Sequence, residues 1–230
     1  MVNERGWCVT VGSVRRLAAA ALIAASTAAF LGGVGCSDRE KLPLTPDEFT
    51  TRGWERYSDG DLAAALQDFE RAIGIDDAFG PAYVGLGWAQ LGLATSAPEM
   101  AVAAVTFETA AASQSGPEVD AGRAAAELGA GGSGLVAAVS YAQAARTEGS
   151  FVFSHRPSID TTDLFLIEAT ALAAQGDFAN ALLAADAAPV ADSGITAGDS
   201  GTWQVDGTTY PTFESAVLAF LHELSKEHAG

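Results

Sequence analysis

The stretch YSDGDLAAALQDFERAI, residues 57–73, joins a polar turn to one face of an amphipathic helix. The turn is Asp59-Gly60-Asp61, and apolar residues then recur at helical spacing. These apolar residues are Leu62, Ala65, Leu66, Phe69, Ala72 and Ile73. A similar arrangement returns in QGDFANALLAADAA, residues 175–188. The repetition predicts an array of short helices that share one design.

Helix start signals divide the chain between these two stretches. Thr45, Pro46 and Glu48 form a capping-box pattern, which predicts a helix that runs to about Ser58. Further helices are predicted from Asp61 or Gly60 to Ile75, from Pro81 to Leu93, from a second capping box at residues 96–99, from Pro117, and from Leu135 to Thr147. The glycine-rich residues 129–134 predict a flexible turn before the last of these helices.

The order of residues within the helices repeats. Gly53-Trp54 recurs 34 residues later as Gly87-Trp88. The second helix of each pair has a large residue between two alanines, in an Ala-x₃-large-x₂-Ala pattern. The three copies are Ala65-Phe69-Ala72, Ala103-Phe107-Ala110 and Ala137-Tyr141-Ala144. A short helical hairpin cannot bury its own apolar face, so the pattern predicts hairpins stacked on one another.

This pattern resembles the tetratricopeptide repeat, which has a period of about 34 residues. Tyr83-x₂-Leu86-Gly87 fits the first half of that repeat, whereas Arg52 stands where the pattern has Leu. The resemblance implies an all-α solenoid of about four helical hairpins over residues 46–189. Phe69, Phe107 and Tyr141 are expected to fill the spaces between hairpins. The fourth copy has Ala185 at the large position, which predicts a thinner core there; the alternative to a solenoid is an unrelated helical bundle.

Two segments depart from the repeat. Residues 148–160 form a long connection, in which Phe151-Val152-Phe153 is expected to be extended and Asp160 to cap the next helix. Residues 190–230 follow the last repeat. There, Asp206-Gly207 predicts a β-hairpin, and an amphipathic helix is expected after Pro211. We expect this C-terminal part to cap the exposed end of the array.

The first residues have the organisation of an export signal. Arg15 and Arg16 precede an apolar run at residues 17–31, which is shorter than a membrane span. The following GGVGC resembles the lipobox of bacterial lipoproteins, with Gly33 where that family has Leu. The resemblance implies a signal peptide at residues 1–35, lipidation of Cys36 and a tether at residues 36–45. It also implies a place in the bacterial cell envelope, and Ser37 favours the outer membrane, facing the periplasm. An uncleaved membrane anchor or an ordinary secretory signal are the alternatives.

Charge and cysteine content restrict the partners. The chain has a formal net charge of −17. Three of its 12 basic and one of its 29 acidic residues lie in residues 1–35, so the remainder has a balance of −19. Such a chain repels phosphate backbones, which makes nucleic acid an improbable partner. Both cysteines, Cys8 and Cys36, precede the repeats, so we expect no disulfide framework in the folded part.

Aromatic residues on the first helices are the candidate binding site. The repeat resemblance places Trp54 and Trp88 on the concave groove, and Tyr57 follows Trp54 by one turn. Together with Leu91 these residues are the predicted partner-binding groove, since rigid aromatic side chains are effective contacts for a peptide or a sugar. The alternative is that the tryptophans pack between hairpins. A further contact is predicted from the long connection at His155 and Arg156.

The sequence predicts a binding protein without chemistry of its own. Nucleophile, phosphate-binding and metalloprotease motifs are absent from it, so we expect no catalytic residue, no metal and no cofactor. His222 and His228 are six residues apart on the last predicted helix and therefore lie on different faces. The favoured function is a lipid-anchored adaptor that binds a protein or peptide partner in its concave groove. The alternative is a lipoprotein that binds a small molecule or a glycan through the aromatic groove.

Overall fold

The computed structural model describes residues 44–147, 149–189 and 194–229. The predicted signal peptide, Cys36 and all but the end of the tether lie outside these residues. The described chain is mostly helical and ends in a small three-stranded sheet before the last helix. The helices are α1 (Pro46–Ser58), α2 (Leu62–Ile75), α3 (Gly80–Leu93), α4 (Ala97–Ala111), α5 (Pro117–Ala130), α6 (Gly134–Ala145), α7 (Thr161–Ala174), α8 (Phe178–Asp186) and α9 (Phe213–Ala229), and the strands are β1 (Thr196–Ala197), β2 (Trp203–Val205) and β3 (Thr208–Tyr210). Over the described residues, no helix is both long and apolar enough to cross a membrane.

The helices form a stack of neighbouring pairs. From α1 to α8, each helix packs against the next one along the chain. In addition, α1 contacts α3, α3 contacts α5, and α5 contacts α7. The even-numbered helices of the described chain make no comparable contacts with one another, so the odd-numbered helices lie on the inner side of the stack. We call the surface formed by α1, α3, α5 and α7 the inner face. The predicted all-α helical repeat is confirmed at this level.

Two phenylalanines separate the first three pairs, as predicted. Phe69 on α2 and Phe107 on α4 are fully buried, and glycines on the first helices face their rings. A Cβ atom on Gly53 would lie 2.6 Å from the Phe69 ring, and one on Gly87 would lie 2.8 Å from the Phe107 ring. No side chain fits at these distances. The Gly-Trp pairs of the sequence are therefore needed for the close approach of helix and ring.

The third pair does not follow the predicted pattern. The buried residues of α6 are Ala138, Ala142 and Ala145, one position after the predicted set, and Tyr141 is only half-buried. The Tyr141 ring lies against the Arg123 guanidinium, whose carbon is 3.9 Å from the ring centroid. Arg123 also donates a hydrogen bond to the Tyr141 hydroxyl. Tyr141 therefore does not fill the space between hairpins: its hydroxyl needs a polar partner, and an alanine face packs closely without it.

The helix boundaries agree with the sequence within one or two residues, but two predicted turns differ. The capping box of α1 is confirmed, because Glu48 N–H donates to Thr45 Oγ1 over 3.2 Å and Thr45 N–H donates to Glu48 Oε2 over 2.8 Å. The second predicted box is wrong. Ser96 makes no capping hydrogen bond, and Glu99 Oε2 instead accepts from Thr95 N–H over 2.7 Å. The turn predicted at residues 129–134 is shorter, since α5 continues to Ala130 and only residues 131–133 separate it from α6.

The last hairpin has a separate core. The buried residues of α8 are alanines, as its sequence predicts, and α9 supplies the large side chains that pack on them. These side chains are Val217, Phe220, Leu221 and Leu224. The predicted hairpin is confirmed between β2 and β3, where Asp206 and Gly207 have φ values of 48° and 75°. Strand β1, which the sequence analysis did not predict, pairs with β2.

Candidate binding surface on the inner face

One connection is much longer than the others and returns over the helices. Residues 146–160 connect α6 to α7, whereas the other connections between α1 and α8 have three to five residues. Part of it doubles back on itself: Phe153 N–H donates to Ile159 O over 2.9 Å, and Val152 pairs with Asp160 in an antiparallel bridge. We call residues 149–156 the inner segment, because its Phe153 and His155 rings pack on the inner face.

Phe153 fills the space between the aromatic residues predicted from the sequence. Its ring is fully buried and stacks on Trp88, with centroids 4.2 Å apart and planes at 21°. It also makes T-shaped contacts with Trp54 and Tyr57, at centroid distances of 5.9 and 6.0 Å. Such pairs contribute about 0.5–1.5 kcal/mol each beyond the area that they bury. The inner segment is therefore a structural part of this half of the inner face.

His155 stacks on one face of Trp54. The two rings are parallel within 3°, with centroids 3.8 Å apart. Burial lowers the pKa of His155, although the nearby charge of Glu118 opposes this shift. The backbone is held as well, since Ser58 Oγ donates to the His155 carbonyl over 3.2 Å. His155 therefore contacts α1 as an aromatic and largely neutral group.

The predicted groove residues do meet, but the inner segment covers most of them. Tyr57 is 4% and Trp88 is 3% exposed, while Trp54 and Leu91 are half-buried. Burial raises the pKa of Tyr57, and the charge of Arg156 opposes this shift; the Arg156 guanidinium carbon lies 5.9 Å from the Tyr57 ring centroid. The tryptophans lie on the inner face, as the groove hypothesis predicts. They are also packed within the fold, as the alternative hypothesis predicts. Their role in binding a partner stays a prediction.

A second part of the inner face is open. A cavity of about 250 Å³ lies between α3, α5 and α7. We call it the open cavity, and its lining is mainly apolar, with Trp88, Leu91, Ala125, Leu128, Ile159 and Ile167 among its residues. The Trp88 indole N–H is buried and finds no hydrogen-bond acceptor among the described residues.

A cluster of charges fixes the first hairpin beside this surface. The Asp68 carboxylate on α2 is fully buried and pairs with Arg52 at 2.6 Å, Arg56 at 2.9 Å and Arg71 at 3.2 Å. Burial raises the pKa of Asp68, but the hydrogen bond from Arg52 and the three positive charges outweigh it, so the pKa lies below its ordinary value. Since Arg52 and Arg56 belong to α1, this carboxylate joins the two helices.

The ends of α7 and α9 meet through a histidine and two carboxylates. His228 Nε2 lies 3.2 Å from Asp163 Oδ2 and 3.6 Å from Asp160 Oδ1. These residues have the spacing of a possible metal site. Both carboxylates, however, accept backbone hydrogen bonds that cap α7: Thr162 N–H donates to Asp160, and Asp160 N–H donates to Asp163. Capping and the contact with α9 explain the arrangement; the cap at Asp160 was predicted from the sequence and is confirmed, whereas the contact with His228 was not predicted.

The open cavity was only partly anticipated. Leu91 was predicted, whereas Ala125 and Leu128 were not. Ala125 and Leu128 follow Trp88 and Leu91 by the same 37 residues, so they hold equivalent positions on α5 and α3. Ile167 and Thr170 on α7 show the same spacing of three and also line the cavity. Extending the Trp88–Leu91 pair to the later hairpins would have identified these residues.

No protein-family model matches this chain, and a search of curated proteins finds no significant relative.

Proposed function

We propose that this chain is a lipid-anchored adaptor of the cell envelope, built as a tetratricopeptide-type array, which holds an extended segment of a protein partner along its inner face. One observation supports the choice of a peptide as ligand. The inner face already holds a non-helical polypeptide, the inner segment, through ring contacts and a hydrogen bond to its backbone. A partner's segment is the ligand whose chemistry is most similar to this occupant.

The open cavity is the proposed entry point for the partner. Its lining favours an apolar side chain. A glycan is less favoured than a peptide. Sugars stack on open aromatic faces, whereas Phe153 covers Trp88 and His155 covers Trp54. The free surface here is aliphatic, which suits Leu, Ile, Met or Phe side chains of a partner.

The membrane anchor is the second part of the proposal. Lipidation of Cys36 would leave nine residues between the acylated cysteine and the start of α1 at Pro46, so the array would stay close to the membrane surface. Two or more acyl chains give stable attachment, whereas a single chain gives only marginal binding. Replacement of Cys36 by serine should move the protein from the membrane fraction to the soluble fraction. Unchanged fractionation would contradict lipidation at this residue.

Site-specific photo-cross-linking in the native cell tests the binding surface. A photoreactive residue would replace Leu91 or Leu128 in the open cavity, with Val105 as the matched control, because Val105 is 62% exposed on α4, outside the inner face. We expect one protein partner to cross-link from both cavity positions and not from Val105. The cross-linked peptide then identifies the bound segment.

A blocking variant tests whether the cross-linked partner is bound in the open cavity. Ala125→Leu places a larger side chain in the open cavity and should abolish the cross-link from Leu91, while Val105→Leu should leave it unchanged. Equal labelling from all positions, or a cross-link that survives Ala125→Leu, would contradict the proposed surface. Labelling of a small molecule or a glycan alone would favour the alternative function, a ligand-binding lipoprotein.

A further inference from the structure

We propose that His228, Asp160 and Asp163 bind one divalent transition-metal ion of the zinc type, which attaches the C-terminal helix to the stack. The site goes beyond the proposed function, since it needs no protein partner. It lies where the last turn of α9 meets the first turn of α7.

The three ligands come from two elements that are far apart in the sequence. Asp160 is the N-cap of α7 and Asp163 lies in its first turn, whereas His228 follows Asp163 by 65 residues. Metal sites in helical proteins are commonly built from side chains on facing helices. The sequence analysis expected no metal, because periodicity along the chain does not reveal this long-range contact.

The distances between the ligand atoms fit a tetrahedral zinc ion. His228 Nε2 lies 3.2 Å from Asp163 Oδ2 and 3.6 Å from Asp160 Oδ1. The ligand atoms of the three residues all lie within 4.8 Å of one another. Bonds from zinc to nitrogen and oxygen are about 2.0–2.2 Å long, which places two tetrahedral ligand atoms about 3.4 Å apart. An ion between the three residues therefore needs only small side-chain movements.

A metal ion satisfies this arrangement more fully than a proton does. An Nε2–H bond points in one direction, whereas His228 Nε2 faces the oxygens of two carboxylates. A hydrogen bond weakens steeply as it bends away from its acceptor, so one proton serves one carboxylate well. A divalent ion between the three residues binds all of them and balances both carboxylate charges.

The backbone hydrogen bonds of the helix cap orient the carboxylates and leave acceptor sites free. Thr162 N–H donates to Asp160 Oδ1 over 2.6 Å, and Asp160 N–H donates to Asp163 Oδ2 over 2.8 Å. An ionised carboxylate has about four acceptor sites, so each of the two retains sites for an ion. Metal-ligating carboxylates are commonly fixed by such hydrogen bonds. The cap therefore prepares two of the ligands.

The ligand types select a transition metal over calcium or magnesium. Imidazole nitrogen is a preferred ligand of zinc, whereas calcium and magnesium prefer oxygen ligands. His228 and the two aspartates are half-buried, so solvent reaches the site and water can complete the coordination. The formal net charge of −17 also favours the approach of a cation.

The ion attaches the end of α9 beyond its large apolar contacts. Leu224 is the last large side chain of α9 in the core of the final hairpin, and His228 follows it by one turn. A ligand that binds the native state and not the unfolded chain stabilises the native state by mass action. Zinc should therefore protect this end of the helix from opening.

The test uses the full chain in detergent, freed of metal with a chelator, and zinc or cobalt ions alone as probes. Calorimetric titration should show about one zinc ion per chain, and cobalt should give the visible absorption bands of a tetrahedral site. His228→Ala should weaken zinc binding at least about tenfold. The matched control is His222→Ala, because His222 is exposed on the same helix, and it should bind zinc normally. Equal binding by both variants would assign zinc to the general acidic surface and overturn the proposal.

Two further results separate a metal site from an ion pair alone. Asp163→Asn keeps an acceptor for the Asp160 N–H but loses the charge, so its circular dichroism should stay helical while zinc binding weakens at least about tenfold. Zinc should raise the urea midpoint of the unmodified chain and not that of His228→Ala, and calcium should change neither. A midpoint that does not respond to zinc would leave only an ion pair and refute the site. An equal rise with calcium would exclude the proposed class of ion.

Discussion

The inner face has two parts that differ in what covers them. Between α1 and α3, the inner segment fills the site formed by Trp54, Tyr57 and Trp88, which we call the aromatic site. It leaves Tyr57 and Trp88 almost without solvent contact. Between α3, α5 and α7, the open cavity of about 250 Å³ remains. Trp88 belongs to both parts: its ring stacks on Phe153, and it also lines the cavity. The covered part therefore contributes to stability, because its contacts are made within the chain. The open part leaves apolar surface available to a partner.

The first prediction compares the Phe153 ring, which fills the aromatic site, with Leu128, which lines the open cavity. Phe153→Ala should lower the free energy of unfolding by about 3–5 kcal/mol, because it removes a fully buried ring. Leu128→Ala should lower it by only about 1 kcal/mol, because Leu128 is half-buried beside a cavity. Urea unfolding followed by circular dichroism measures both. Similar losses for the two variants would show that the distinction between the parts is wrong.

The second prediction concerns the charge cluster that joins α1 to α2. Asp68→Asn removes the charge that joins α2 to Arg52 and Arg56 on α1 and should cost about 2–3 kcal/mol, since the arginines are partly exposed. The pKa of Asp68 is lowered, so the native state binds fewer protons than the unfolded chain. Its contribution is complete well above the ordinary value of 3.8 and is lost as the pH falls through the lowered native pKa.

The free energy of unfolding, measured as a function of pH, checks whether the Asp68 contribution is lost as the pH falls. Stability of the unmodified chain should fall more steeply below pH 3.8 than that of Asp68→Asn. Asp47→Asn is the matched control, because Asp47 is exposed in the first turn of α1. Parallel curves for the unmodified chain and Asp68→Asn would refute a stabilising role for the carboxylate.

The third prediction separates binding from stability in the open cavity. Ala125→Leu fills part of the cavity and should change the free energy of unfolding by less than about 1 kcal/mol, because space for the larger side chain already exists. The same variant should weaken binding of the cross-linked partner peptide by more than about tenfold, as expected when a contact surface is blocked. Calorimetric titration provides the affinity. A variant that binds normally would exclude the cavity as the contact surface.

The smallest expected effect is the pH dependence of the aromatic site. The pKa of His155 is lowered by burial, so the docked segment favours the neutral ring. The contribution of His155 is present above its ordinary value of 6.5 and decreases as the pH falls through the lowered native pKa. Between pH 7 and 5, we expect tryptophan fluorescence to report partial release of the inner segment. His155→Phe keeps a ring without titration and should remove the change; persistence in that variant would assign it to another group.

The sequence predicted the parts of the fold that depend on spacing and failed where packing decides. Gly53 and Gly87, Phe69 and Phe107, and the Thr45–Glu48 box follow from local rules, and the structure confirms them. Tyr141 was misplaced because the pattern could not reveal that Arg123 binds its ring and hydroxyl. The aromatic site was half predicted. Trp54, Tyr57 and Trp88 were identified, but the docking of Phe153 between them is a long-range contact that periodicity along the chain does not encode.

Nuclear Overhauser contacts between the aromatic rings test the central claim most directly, namely that the rings of Phe153 and His155 hold the inner segment on the inner face. In the full chain with labelled aromatic residues, we predict contacts from the Phe153 ring to both Trp88 and Trp54, and from the His155 ring to Trp54 alone among the tryptophans. A Phe153 ring that shows no contact with either tryptophan would contradict the account.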